Sequence, residues 1–251
     1  MARQVSLVKF KGKIGDLSFY KSDGDYQARM KGGPSKEQIN SDPRFQRTKE
    51  NGVEFGRAAN VSKKLREQLN QGSDTKFPNR LTGMMNRILR ADELNGRGDR
   101  QVITANLIQL TGLECNVNAK LSEVFFLRTR PIYDIATSEA TLELPQMIAK
   151  NQIKMLNGAT HVQVQLVATE FDAQNPEADA VATARSSYLD VGQSNASPSE
   201  TLSLQLAPLP QPDSAVILLM GISYFQFVNG GYYPLSNGAY NALTFVQVIL
   251  P

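Results

Sequence analysis

The stretch Val216-Ile217-Leu218-Leu219-Met220-Gly221-Ile222-Ser223-Tyr224-Phe225-Gln226-Phe227-Val228, followed by Asn229-Gly230 and then Gly231-Tyr232-Tyr233-Pro234, decides the class of fold. β-Branched and aromatic residues dominate the run, and such residues fit a pleated, packed surface. Asn-Gly supplies the positive-φ pair of a tight hairpin turn. The stretch therefore predicts a strand that turns back on itself. Working outward, the same period of two recurs. Residues 161–171 and 180–189 are long alternating runs. Residues 115–121, 124–127, 132–136, 140–144, 201–206 and 243–250 are shorter ones, and Ser236-Asn237-Gly238 marks a further turn. Ala207-Pro208-Leu209-Pro210-Gln211-Pro212 reads as an extended loop between strands. Many short strands with little helix between them predict an antiparallel sandwich or barrel from residue 102 onward.

Upstream of residue 102 the period is 3.6. Asp42 is a good helix N-cap, and Pro43 fits the first helical position, where its missing N–H costs nothing. Phe45, Gly52, Phe55, Ala59, Val61, Leu65 and Leu69 fall on one stripe of a helix predicted to run to residue 71, about 40 Å long. Gly52 and Gly56 each cost about 1 kcal/mol of helix propensity. They read as a place where another backbone comes close, or else as a kink near Gly56. Gly72-Ser73-Asp74 closes this helix. A second is predicted over residues 78–94, with Leu81, Met84, Met85, Ile88 and Ala91 inward, ended by Asn95-Gly96-Arg97-Gly98.

The N-terminus reads as a small β element. Residues 5–10 form a short strand and Gly12-Lys13-Ile14-Gly15 a turn, after which two strands flank Ser22-Asp23-Gly24-Asp25. Leu17 and Phe19 share a face with Tyr26, Ala28 and Met30, leaving Tyr20, Gln27, Arg29 and Lys31 on the other. A hairpin of this size is marginal alone, so it must pack on its own chain or a neighbour. Gly32-Gly33-Pro34 is a joint. The expected architecture is α+β: an N-terminal β-hairpin arm (1–33), a two-helix segment (34–101) and an antiparallel β-sandwich-like domain (102–251).

Charge divides along the chain. Residues 1–110 carry 21 Lys+Arg against 12 Asp+Glu, a net +9, and residues 111–251 carry 6 against 12, a net −6. The sum is the chain's +3. A basic half joined to an acidic half suggests an anionic partner, or complementary contacts between copies. One cysteine, Cys115, excludes an intrachain disulfide. The first residues carry no apolar core of a signal peptide, which predicts synthesis in the cytoplasm without Sec export. The apolar run ending at Ile222 is far too short to span a bilayer.

Catalytic chemistry is hard to compose from these residues. His161 is the only histidine, and alternation places it beside Gln163 and Gln165 on a polar strand face. With a single cysteine and a single histidine that lies on a polar strand face, no zinc site, Cys–His dyad or Ser–His–Asp triad is expected. Neither Gly-rich nucleotide motif is present. Glu170, Asp172, Glu177 and Asp179 surround an Asn-Pro turn, but their spacing lacks the alternation and glycine of a calcium loop, so they read as a solvated acidic loop. The chain is expected to be no enzyme and to need no cofactor or metal.

The stretches Ile14-Gly15-Asp16-Leu17-Ser18-Phe19-Tyr20-Lys21, Lys31-Gly32-Gly33, Asp42-Pro43-Arg44-Phe45-Gln46-Arg47-Thr48-Lys49-Glu50-Asn51 and Glu54-Phe55-Gly56-Arg57-Ala58 together resemble a family of Bacteroidota proteins. The C-terminal segment Val228-Asn229-Gly230 through Tyr233-Pro234-Leu235 and Asn237-Gly238-Ala239 is similar too. The resemblance implies no activity and carries over no functional residue.

The resulting expectation is a structural subunit that assembles with other copies of itself. Contacts are predicted at Phe19, Tyr20, Tyr26 and Arg29 of the arm and at Phe45, Phe55 and Arg57 of the helix. An alternative is nucleic-acid binding through a basic stripe of Lys63, Lys64, Arg66, Arg80, Arg87, Arg90, Arg97 and Arg100, which could neutralise phosphates.

Overall fold

The computed structural model describes residues 2–30, 32–69, 74–175, 180–206 and 213–250. Lys31, Gly72-Ser73, Glu177, Asp179 and the Pro-rich loop at 207–212 lie outside the described residues. The chain divides into two compact units, Met1–Lys49 and Glu50–Pro251.

The first unit is a four-stranded antiparallel sheet in the order β1-β4-β3-β2, built from β1 (Ala2–Arg3), β2 (Gly12–Ile14), β3 (Leu17–Ser22) and β4 (Asp25–Met30). The predicted turn at its centre is present. Asp23 and Gly24 both take positive φ, and Ser22 faces Asp25 across it. The expected faces hold as well, because Leu17 pairs with Met30 and Phe19 with Ala28. The start differs from its expected form. Residues 5–10 form a closed loop rather than a strand, since Gln4 ties its own side chain to both backbone groups of Phe10. Gly12-Lys13-Ile14, expected as a turn, is β2, and the turn falls at Gly15, whose φ is +57°. A short helix that the apolar pattern did not announce, α1 (Lys36–Ser41), follows, opened by a capping box between Ser35 and Gln38.

Asp42 caps as expected, accepting from the backbone N–H of Arg44 at 2.9 Å, and Pro43 opens a single 3-10 turn. The helix α2 (Gln46–Leu69) then runs unbroken, so there is no kink at Gly56. Beyond the helix's own backbone, no atom of the described residues lies within 4 Å of where a Cβ would sit at Gly52 or Gly56. Among the described residues no other backbone makes the close approach expected there. The helix α3 (Phe77–Arg90) stops four residues before the predicted end. Asp92 accepts the backbone N–H groups of Leu94 and Asn95 and turns the chain away.

The second unit is built around the opening stretch. β11 (Ala215–Val228) lies at the centre of a curled antiparallel sheet, paired along its length with β7 (His161–Phe171). On its other side are β12 (Gly231–Pro234), reached through Asn229 and Gly230 at positive φ, and β13 (Ala242–Ile249). Beyond β7 lie β8 (Val181–Arg185) and β9 (Leu189–Asp190). A second sheet has the order β10-β6-β5, from β5 (Ile132–Asp134), β6 (Glu139–Leu144) and β10 (Glu200–Gln205). The mixed α+β class with antiparallel sheets is thus as the sequence predicts.

Both faces of the central sheet are buried, which explains why β11 reads as an unbroken apolar run. Val216, Leu218, Met220, Ile222 and Tyr224 enter the core shared with the second sheet, beside Leu142, Leu144 and Leu202. Ala215, Ile217 and Leu219 enter the core made with α2, α3 and the 3-10 segment Thr104–Leu110, beside Leu65, Leu81, Ile88 and Leu107. Gly221 has a packing reason. A Cβ there would sit 2.5 Å from the carbonyl oxygen of Ala242 on the neighbouring strand.

Two predicted strands are absent. In place of the strand expected at 115–121, residues 112–115 run along the outer edge of β13, with Gly112 N–H donating to Phe245 and Cys115 N–H to Leu243 at 2.7 and 2.8 Å, and the chain then turns into a short helix at Leu121–Val124. Residues 124–127 are held by a single bridge between Phe125 and Ile153. No described helix is long and apolar enough to cross a membrane.

Candidate functional site

The arm residues come together on the first unit. Arg29 lies over the ring of Tyr20, 5.4 Å from its centroid, and the Tyr20 hydroxyl donates to Gln27 at 3.1 Å. On the opposite face Lys9 and Lys21 flank the ring of Tyr26 at 5.2 and 5.5 Å. Phe10 and Phe19 pack ring against ring with centroids 5.9 Å apart. Within its own unit the sheet has no covered face. Ile14, Leu17 and Met30 share the Phe19 side and all three are exposed, Met30 at 72%. None of the described residues from 2 to 49 is buried.

That is energetically informative. Ordering a residue's backbone costs about 1–2 kcal/mol, and the offset comes mainly from apolar area removed from water at about 25 cal/mol per Å². A sheet with an apolar face but no buried residue leaves that offset uncollected. The charge of this unit adds to the picture: residues 1–49 hold 11 Lys+Arg and 5 Asp+Glu, net +6, against 16 and 19, net −3, for residues 50–251.

On α2 the predicted contact residues separate into two kinds. Phe55 is 53% exposed, between Gly52 and Gly56 on the open side of the helix. Phe45 is half-buried at the preceding 3-10 turn. Arg57 is committed within the chain, donating to the carbonyls of Gly98 and Arg100 at 2.7 and 3.1 Å. Beside it the buried Glu54 accepts the Gly98 N–H at 2.7 Å. The loop after α3 is thereby fastened to α2.

The basic stripe divides in the same way. Arg80 grips both oxygens of Asp74 at 2.9 and 2.8 Å and donates to the carbonyls of Glu114 and Cys115. It is a structural clamp between the start of α3 and the strand-edge segment. Lys63 forms an exposed pair with Glu67, and Lys64, Arg66 and Arg100 are half-buried. Arg87, Arg90 and Arg97 are exposed and form no ion pair among the described residues.

Glu170 is placed differently from its sequence reading, while His161 keeps the strand face that alternation predicts, opposite the core residues Val162 and Val164. Glu170 is buried at the end of β7, where Ser214 donates to its carboxylate at 2.7 Å and Gln68 to its carbonyl at 2.6 Å. It is not part of a solvated loop. Among the described residues no group of His, Cys, Asp and Glu is arranged to hold a metal. His161 sits in an aromatic cluster that strand alternation could not announce. Its ring stands edge-on to Tyr232 at 5.0 Å and to Phe227 at 5.6 Å, and Tyr232 stacks on Tyr188 at 3.7 Å.

A further feature has no local signal in the sequence. Below the segment at 112–115 and beside β13 opens a cleft of about 730 Å³, lined by Glu114, Leu121, Phe125, Leu127, Val246 and their neighbours. Burial holds the Glu114 carboxyl above the usual carboxylate range, opposed by the hydrogen bond from Thr244 Oγ1. Glu114 has no ion pair among the described residues, since Lys120 nearby is paired with Glu123 at 2.8 Å. No protein-family model, no curated protein and no solved structure matches this chain.

Proposed function

We propose that the protein is a non-enzymatic structural subunit that self-assembles into a larger particle or filament, of the shell, sheath or virion-like kind, with its N-terminal arm engaging neighbouring copies. One observation carries this reading: residues 2–30 form a sheet with an apolar face within a segment, residues 1–49, of net charge +6, yet none of the described residues from 2 to 49 is buried. Such a face gains stability when another surface removes it from water. The net −3 of residues 50–251 favours a second copy as that surface. Phe55 on the open side of α2 is a second exposed aromatic suited to the same use.

Light scattering on the purified chain at micromolar concentration tests this. The expected result is a species many times the mass of one chain, reduced to monomer by deletion of residues 2–33. A monodisperse monomer that ignores the deletion overturns it. A second reading rests on the exposed Arg87, Arg90 and Arg97, which could meet phosphates. It requires binding to nucleic acid that weakens steeply as salt rises, and a chain that retains no nucleic acid at low salt removes it.

A further inference from the structure

We infer that the apolar loop at residues 5–8 is a plug for the cleft beside β13 of a second copy, a proposal that rests on the self-assembly reading and names its acceptor. The loop is preformed. Gln4 accepts the Phe10 N–H at 2.8 Å and donates to the Phe10 carbonyl at 3.2 Å, and it also donates to Gln27 of β4 at 3.1 Å. This clasp holds the base shut while the tip stands clear, with Val5 93% and Leu7 105% exposed. A loop closed by its own hydrogen bonds loses little further entropy on docking. An apolar tip held in water has nothing to gain from that order unless another surface covers it.

The cleft supplies what the tip lacks. Its volume of about 730 Å³ has room for several aliphatic side chains, and Leu121, Phe125, Leu127 and Val246 give it apolar walls. The sheet edge beside it is open. Residues 112–115 pair with β13 only as far as Phe245, and beyond that residue no described backbone group bonds to its outer edge. An open edge invites an added segment. Charge agrees with the fit. Lys9 and Lys11 follow the tip directly, and Glu114 in the cleft is a carboxylate without an ion pair among the described residues. Arg130 also lines the cleft but is exposed.

Mixing two variants of the full chain, Leu7→Cys and Ser122→Cys, tests the proposal between copies under mild oxidation. Ser122 is exposed and lines the cleft, while Cys115 is buried and stays in place. A disulfide-linked dimer is expected from this mixture and only traces when Asp23→Cys, at the far hairpin turn, replaces Leu7→Cys. In parallel, Leu7→Asp should raise the concentration for half-assembly at least about tenfold, as befits the loss of one buried leucine. If the natural chain assembles but the Leu7 mixture cross-links no better than the Asp23 control, the acceptor is wrong and self-assembly stands. If the natural chain stays monomeric and no cross-link forms, both fall. Flotation with phosphatidylglycerol vesicles that depends on Leu7, without cross-linking, assigns the loop to an anionic membrane and overturns the proposal.

Discussion

Arg57 Nη1 lies 2.7 Å from the carbonyl oxygen of Gly98, joining the middle of α2 to the loop that follows α3. Two residues away, Phe55 points into open space. The two side chains therefore separate stability from assembly. Arg57→Ala should lower unfolding free energy by about 1–3 kcal/mol, as expected for a charged donor serving two part-buried carbonyls. Phe55→Ala should leave stability within about 0.5 kcal/mol but weaken assembly. Thermal melts alongside light scattering read both. A destabilised Phe55→Ala that assembles normally contradicts the division.

Asp92 ties stability to acid. It is buried, which pushes its pKa up, but the N–H groups of Gln101, Leu94 and Asn95 and the Asn95 side chain outweigh that and hold it at about 2. A folded pKa below the unfolded one stabilises the fold above the unfolded value and loses that contribution as pH falls through the folded value. The displacement from 3.8 to about 2 is worth about 2 kcal/mol. Asp92→Asn should therefore flatten the fall in stability between about pH 4 and pH 2. Urea titrations at several pH values measure it, and an unchanged acid limb refutes the assignment.

Gly221→Ala is predicted to be among the costlier small substitutions. Its Cβ would stand 2.5 Å from the Ala242 carbonyl oxygen and 2.9 Å from Gln165 Nε2, so the β11–β13 pair must part. Overpacking of this kind costs about 1–3 kcal/mol. Gly52→Ala, where nothing lies within 4 Å, should instead stabilise α2 by up to about 1 kcal/mol. Paired chemical denaturation curves decide the sign of each. If Gly52→Ala leaves stability intact yet blocks assembly, a neighbour's backbone approaches there.

Cys115 should be inert in the folded protein. Burial, with the Glu114 carboxylate beside it, pushes the thiol far above its ordinary range. A thiol-exchange reagent at about pH 8 acts on the thiolate, so labelling should wait for unfolding. Rapid labelling of the native chain shows that the segment at 112–115 opens from the edge of β13.

Several features of the protein follow from local chemistry and were legible in the residues themselves. Asn229-Gly230 and Asp23-Gly24 make tight turns because those residues tolerate positive φ. Asp42-Pro43 starts a helix because one caps a free N–H and the other lacks one. Even α1 is marked locally, by the capping-box pair Ser35 and Gln38. Alternation sorted the arm's two faces correctly. These are properties of a few adjacent residues. The rest depends on partners distant in sequence. Arg57 and Arg80 looked like free cations until the carbonyls of Gly98, Glu114 and Cys115 were placed against them. Glu170 looked solvated until Ser214 reached it from β11's leading edge. The loop at residues 5–10 carries strand-forming residues, yet the side chain of Gln4 closes it instead. The cleft beside β13 is made from segments more than a hundred residues apart, and no local pattern encodes a space that exists only between them.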